Sequence, residues 1–465
     1  MAAAIGVALL IAGLAHAATK TVPCSGSGGG PSGLVAAINT LNSTLGPNTI
    51  NLTPGCVYTL TSPYQADSPN GMPPITGIIT VNGYGATIAR SQVSGTPAFR
   101  IFAVASGGNL TLNIVIVKGG LVDNRGSVPE DVNRAGGGLT VDAGGKLTLN
   151  HSVVAQNRSN VFGLGEPGGF SEGGGIYNSG IVMLNNSVVS KNVASSGTES
   201  GHARGGGISN SGQLTLQCST VTHNTAEENT QNDAGSADGG GIFSAAGRII
   251  VRHSVVSYNT VRSSAPGDAR AIGGGIEVGV GSTAFSAYSV IRNNTAIGVQ
   301  GGTLAVAGGI DIAGTATLYH VAIFDNTAVS SGTSPLANNV AAGGGLVIAG
   351  CLPVAGGSTC SAGKAKLLYT AIYSNTARTP NGYALGGGID NGGRAILVDS
   401  KVVNNTAVGD TLANSLGGGV YNADYKNFLY PYGTANGSLT LFNSQIFGNH
   451  PDQCDPTGSV PGCSN

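Results

Sequence analysis

Tryptophan is absent from this chain, aromatic residues of all kinds make up 5% of it, and only 9% is charged. Each scarcity excludes something. A chain with little charge and abundant Val, Ile, Leu and Thr is not built to stay disordered, because disorder goes with high charge and few apolar side chains. A β-propeller, whose blades normally repeat aromatic signatures, is disfavoured. The formal net charge of −1 leaves no basic footprint, so nucleic acid is not an expected partner. No CxxC pair occurs among the seven cysteines, and zinc is not expected. Past the N-terminus no run approaches the roughly 18 apolar residues of a membrane span.

Glycine is plentiful instead, at 78 of 465 residues, but it does not fall at every third position, so collagen is excluded. The opening MAAAIGVALLIAGLAHAATK reads as a secretory signal peptide over 1–17, ending in the small-x-small pattern Ala15-His16-Ala17, although it carries no Lys or Arg before its apolar run. A secreted or cell-surface protein is expected, with no membrane span after signal removal and no anchor signal at the closing PGCSN. The cysteines suit an oxidising compartment. Cys351 with Cys360 and Cys454 with Cys463 read as local staples, and Cys24 with Cys56 as a third pair. Cys218 is then left over, and its place inside a repeat predicts a buried free thiol.

The repeat is the dominant signal. GGGISNSGQLTLQCSTVTHNTA (Gly205 to Ala226) returns as GGGIDNGGRAILVDSKVVNNTA (Gly386 to Ala407). Aligned on the asparagine, nine copies end at Asn157, Asn192, Asn224, Asn259, Asn294, Asn326, Asn375, Asn405 and Asn449. Three positions earlier every copy has Val or Ile, and five positions earlier Ser predominates. Eight earlier Leu predominates, and Ile, Leu or Val follows the glycines. A period of roughly 30 to 40 residues means a solenoid or a propeller. Alternation within short segments, with Gly, Asn and Ser between them, predicts three short strands per unit. The fold class follows: an all-β, single-stranded, right-handed parallel β-helix. Stacking at coil spacing assigns Asn to a corner, where it tolerates a left-handed backbone and bonds along its own ladder. Ser takes the other bend. Segments between NTA and the next GGG vary in length and read as surface loops.

The chain divides into the signal (1–17), a cap with irregular early coils (18–135), the repeats (136–449) and a disulfide-closed tail (450–465). SGLVAAINTLNS reads as a capping helix, needed because a solenoid end exposes unpaired strands.

The GGGI at Gly173 to Ile176 and VSKN at Val189 to Asn192 resemble the short repeats of polymorphic outer-membrane proteins and related bacterial right-handed β-helix proteins, over about two thirds of the chain. Members of that family use phenylalanine where this chain has Val or Ile. The resemblance implies a surface-exposed, adhesin-like β-helix. Pectin- and alginate-acting enzymes share the fold, which does not choose between these roles.

The residue after each inward Ile is expected to point outward into a glycine-lined trough. Glu277 and Asp311 fall on adjacent coils, a pair suited to a retaining glycosidase, to a bridging Ca2+, or simply to solvation on an exposed face. Tyr177, Phe243, Asp390 and Tyr421 share that column as candidate sugar-stacking or ligand-binding residues. Glu172, Arg204 and Asp238 form a ladder of alternating charge before the glycines; alternatively Arg204 faces a carboxylated sugar, where Arg270 and Asp268 are placed to join it. His151, His253 and His320 share a bend column, but Asn186, Cys218 and Tyr288 intervene, so a metal site is not expected. The leading expectation is a monomeric, non-catalytic scaffold without a resident cofactor, binding an extracellular polysaccharide or a cell surface. A polysaccharide lyase or glycoside hydrolase acting in the trough is the competitor, and a purely structural envelope component the third.

Overall fold

One coil shows how the repeat folds. From Gln213–Gln217 the chain passes Cys218 and Ser219 into Thr220–Thr222, turns at His223 and Asn224, and runs out as Thr225–Glu228. It returns as Gly235–Asp238, crosses the three glycines Gly239 to Gly241, and closes as Ile242–Ser244. The computed structural model describes residues 17–464 except 67, 126–134, 163–168, 198–200, 231–233, 333–338, 351–361 and 424–436. It is a parallel β-solenoid of about 11 turns.

Its strands form four sheets. A 23-stranded long sheet holds both the Leu-x-Leu and the Ser-x-Val strands, and an 11-stranded second wall holds the Gly-Ile strands. Leu214, Leu216, Val221 and Ile242 point from these two walls into a continuous aliphatic core. Burial of each such side chain contributes roughly 1.5–3 kcal/mol, so every coil supplies its own share of stability.

The three strands read from sequence are present, and two more accompany them. The segments expected as surface loops contain strands that pair from coil to coil, forming a 9-stranded and an 8-stranded sheet. These pack face to face through a core made almost wholly of alanine, including Ala203, Ala226, Ala237, Ala271 and Ala296. The result is a thin fin, whose 8-stranded inner sheet folds back over the second wall. Small side chains make this possible, because only they let two sheets close so tightly.

The asparagine ladder runs along the axis as expected, but its backbone differs. The left-handed residue is the one before each asparagine, such as Lys191 (φ 56°), His223 (φ 55°) and Tyr258 (φ 53°). The residue before each serine behaves likewise, as at His253 (φ 49°) and Tyr288 (φ 50°). These residues reverse the chain, so the following Asn or Ser turns inward to a buried ladder position. Of the glycines, Gly205 takes φ 63°, and a Cβ on Gly206 would meet the Gly240 carbonyl and the Thr225 backbone. Geometry and close approach therefore both select glycine here.

The helix Gly30–Asn42 lies over the first coil and buries Leu34, Ile38 and Leu41. Cys24 is bonded to Cys56 and Cys454 to Cys463. The Cys351–Cys360 pair falls outside the described residues, as does nearly all of the proposed signal peptide. Cys218 is a free thiol but is exposed, not buried: it occupies the left-handed corner before Ser219, where side chains point to solvent. Among the described residues no helix is long and apolar enough to cross a membrane.

Candidate functional site

The column that follows the inward Ile does point away from the coil, but the inner sheet of the fin covers it. Asp390 is fully buried, and Phe243, Asp311 and Tyr421 are 4–6% exposed. Tyr177 and Glu277 are half-buried. The open trough expected from sequence is thus an interface between two sheets.

Its character changes along the axis. Toward the C-terminus it is mostly apolar, with Leu304, Val340, Val347, Leu385 and Tyr421 in one cluster, and the buried Asp390 stands in register between Val347 and Tyr421. In the earlier coils it is ionic. Glu172, Arg204 and Asp238 are successive register partners on the inner fin sheet. Arg204 reaches Asp238 at 3.4 Å through Nε and Glu172 at 4.0 Å through Nη1, so the charge ladder read from sequence is formed. The guanidinium also lies 4.5 Å from the Phe170 ring centre and 5.0 Å from that of Phe243. Phe243 therefore packs on a cation rather than presenting its ring to a sugar. Phe170 stacks in turn on His202, ring centres 4.8 Å apart.

Glu277 and Asp311 are register partners on adjacent coils, as expected. Burial raises the Glu277 carboxyl well above the ordinary carboxylate range, neighbouring Asp238 and Asp311 raise it further, and Arg204 opposes them. Its Oε2 is inaccessible to water and lacks a hydrogen-bond partner. Burial also raises Glu172 against the pull of Arg204. His202 is lowered, chiefly by burial and also by Arg204 and Arg270, while Asp238 acts in the other direction. The side chain of Asp268 lies outside the described residues.

Two carboxyls on adjacent coils, one of them raised by burial, are an arrangement from which a general acid and its partner can be made. Here, however, the pair lies between sheets, where a polymer chain has no direct approach. Among the described residues no group of three or more His, Cys, Asp or Glu side chains is placed to hold a metal ion.

The outer sheet of the fin is open to solvent, and so are the outward face of the long sheet and its corner. His253, Tyr288, His320 and Tyr369 stack in sequence there, with ring centres 5.2, 5.1 and 4.9 Å apart. Tyr288 stands between His253 and His320, so those histidines do not touch. Tyr319 lies at right angles to the row. Beside it, on the sheet, Thr317, Lys364, Lys366, Arg394, Ser438 and Thr440 line a groove of about 370 Å³. Sequence reasoning passed over this face. Its signal was present, since Lys146, Arg248, Lys364 and Arg394 each stand eleven residues before a ladder asparagine. Comparisons of the chain with protein-family models, with curated proteins and with solved structures find no match.

Proposed function

We propose that this chain is a secreted, non-catalytic β-solenoid that presents its long sheet to an extracellular glycan, in the manner of the adhesin-like repeat proteins its GG-Ile units resemble. One observation carries the reading. The face rich in exchangeable hydrogen-bonding groups is uncovered, whereas the acidic pair is roofed by the fin. Thr80, Thr111 and Thr148 are in register on successive coils of that face, at the coil spacing of about 4.8 Å. A linear polymer of hydroxylated rings suits a surface that repeats in one dimension. The two disulfides accord with an oxidising compartment.

The test is retention of the mature protein on a panel of insoluble polysaccharides, with release of reducing ends and unsaturated products followed in parallel, with and without Ca2+. Retention without turnover supports the scaffold. Turnover lost in Glu277→Gln or Asp311→Asn would replace it with a polysaccharide-degrading enzyme. That second reading draws on the raised Glu277 carboxyl beside Asp311.

A further inference from the structure

We infer that the outward face of the long sheet binds an acidic polysaccharide lengthwise, through cations spaced by the coils. The inference rests on the scaffold reading and names its class of ligand.

The chain as a whole is almost neutral, with 21 basic and 22 acidic residues. The charges are not evenly placed. None of the 23 strands of the long sheet contains Asp or Glu. The same strands carry Lys146, Arg248, Arg252, Lys364, Lys366 and Arg394, all exposed. The acids Glu172, Glu227, Glu228 and Asp238 lie in the fin.

Lys364 and Arg394 are direct register partners on adjacent coils, and Lys366 stands two residues along on the same face. Like charges in register repel and weaken a sheet. Among the described residues no ion pair engages any of the three. All three open onto the groove of about 370 Å³, together with the hydroxyls of Thr317, Ser438 and Thr440. A set of uncompensated cations with hydroxyls between them matches a polymer bearing both anions and hydroxyls. Carboxylated or sulfated sugars have that chemistry.

Nucleic acid and anionic membrane fit less well. Bases need exposed ring faces to stack on, and the aromatic row beside the groove has its faces turned to one another. Membrane binding calls for a contiguous apolar insertion surface, and in this groove Ile396 is the one large apolar side chain among lysine, arginine, threonine and serine.

The full chain is tested by affinity electrophoresis against polygalacturonate, a sulfated glycan, neutral dextran, a single-stranded oligonucleotide and phosphatidylserine vesicles. The triple variant Lys364→Gln/Lys366→Gln/Arg394→Gln is compared with Arg262→Gln/Arg378→Gln, which removes exposed cations from the fin's outer sheet. The expected result is binding to the acidic glycans that weakens on the order of tenfold in the triple variant, with a shallower salt dependence. The fin variant should bind as the parent does. Thermal melting of the triple variant should stay at or above that of the parent, because a repulsion is removed.

Unchanged acidic-glycan binding in the triple variant overturns the inference, as does tighter binding to the oligonucleotide or the vesicles. Binding to dextran but not to the acidic glycans overturns the ligand class and leaves the scaffold reading standing. No binding to any glycan removes both.

Discussion

Asn259 donates its side-chain amide to the Oδ1 of Asn294, 3.0 Å away on the following coil, and to the Val221 carbonyl, also at 3.0 Å. Its own Oδ1 accepts from both the backbone and the side chain of Asn224. Every polar atom of this buried amide is thereby used, and only a carboxamide side chain offers both the donors and the acceptor, which glutamine carries on a longer stem.

Asn259→Ala is therefore expected to destabilise the protein by about 3 kcal/mol or more, since several buried groups lose partners at about 1–3 kcal/mol each. Asn293→Gly, at the left-handed corner that glycine also tolerates, should change stability by only about 0.5 kcal/mol. Denaturant melts of the two variants check the contrast. Equal effects would mean that the ladder bonds are not what holds the corner.

Glu277 makes stability depend on pH. Its folded carboxyl titrates well above the ordinary 4.5, so between that value and the folded one the native state holds a proton that the unfolded chain has lost. Stability from this group is fully present below pH 4.5 and declines as pH rises. Glu277→Gln should remove that decline, and the difference between parent and variant melting temperatures should grow from pH 4.5 toward neutrality. A difference that stays flat with pH would show that the carboxyl is ordinary.

The core of the fin admits Val261 among its alanines but nothing bulkier. Ala271→Leu is expected to cost about 1–3 kcal/mol by overpacking. The damage should be local. Hydrogen exchange should accelerate in Thr260–Ser263 and Asp268–Ile272, while Gln213–Gln217 on the long sheet keeps its protection. Loss of protection throughout would mean that fin and coil unfold together.

Cys218 should alkylate in the native protein without denaturant, as peptide mapping by mass spectrometry would show, because it is exposed at a corner. Cys218→Ser should leave stability within about 0.5 kcal/mol of the parent. Resistance of the native thiol to alkylation would contradict its placement.

Much of the fold was legible because a solenoid stacks equivalent positions, so a column in the sequence becomes a row in space. The asparagines from Asn157 to Asn449 and the inward Ile176, Ile208 and Ile242 could be assigned from spacing alone. The candidate site was less legible. The register of Glu277 with Asp311 and the Arg204 ladder follow from repeat alignment, and both are present. Their burial does not follow, because it depends on strands whose separation along the chain varies from coil to coil. The alanine two residues after six of the nine ladder asparagines, as at Ala226 and Ala296, was the available hint that these segments pack rather than wander.

Sequence by itself determined the period, the inward aliphatic columns and the ladder chemistry, because each coil repeats the same local rules against its neighbour. Tertiary structure alone decided which surface is free. Whether Glu277 and Tyr421 meet water depends on how the fin folds over the second wall, and whether Lys364 and Arg394 share a face depends on one sheet spanning the coils. Charge and exposure are properties of a surface, and a surface exists only once distant segments have been brought together.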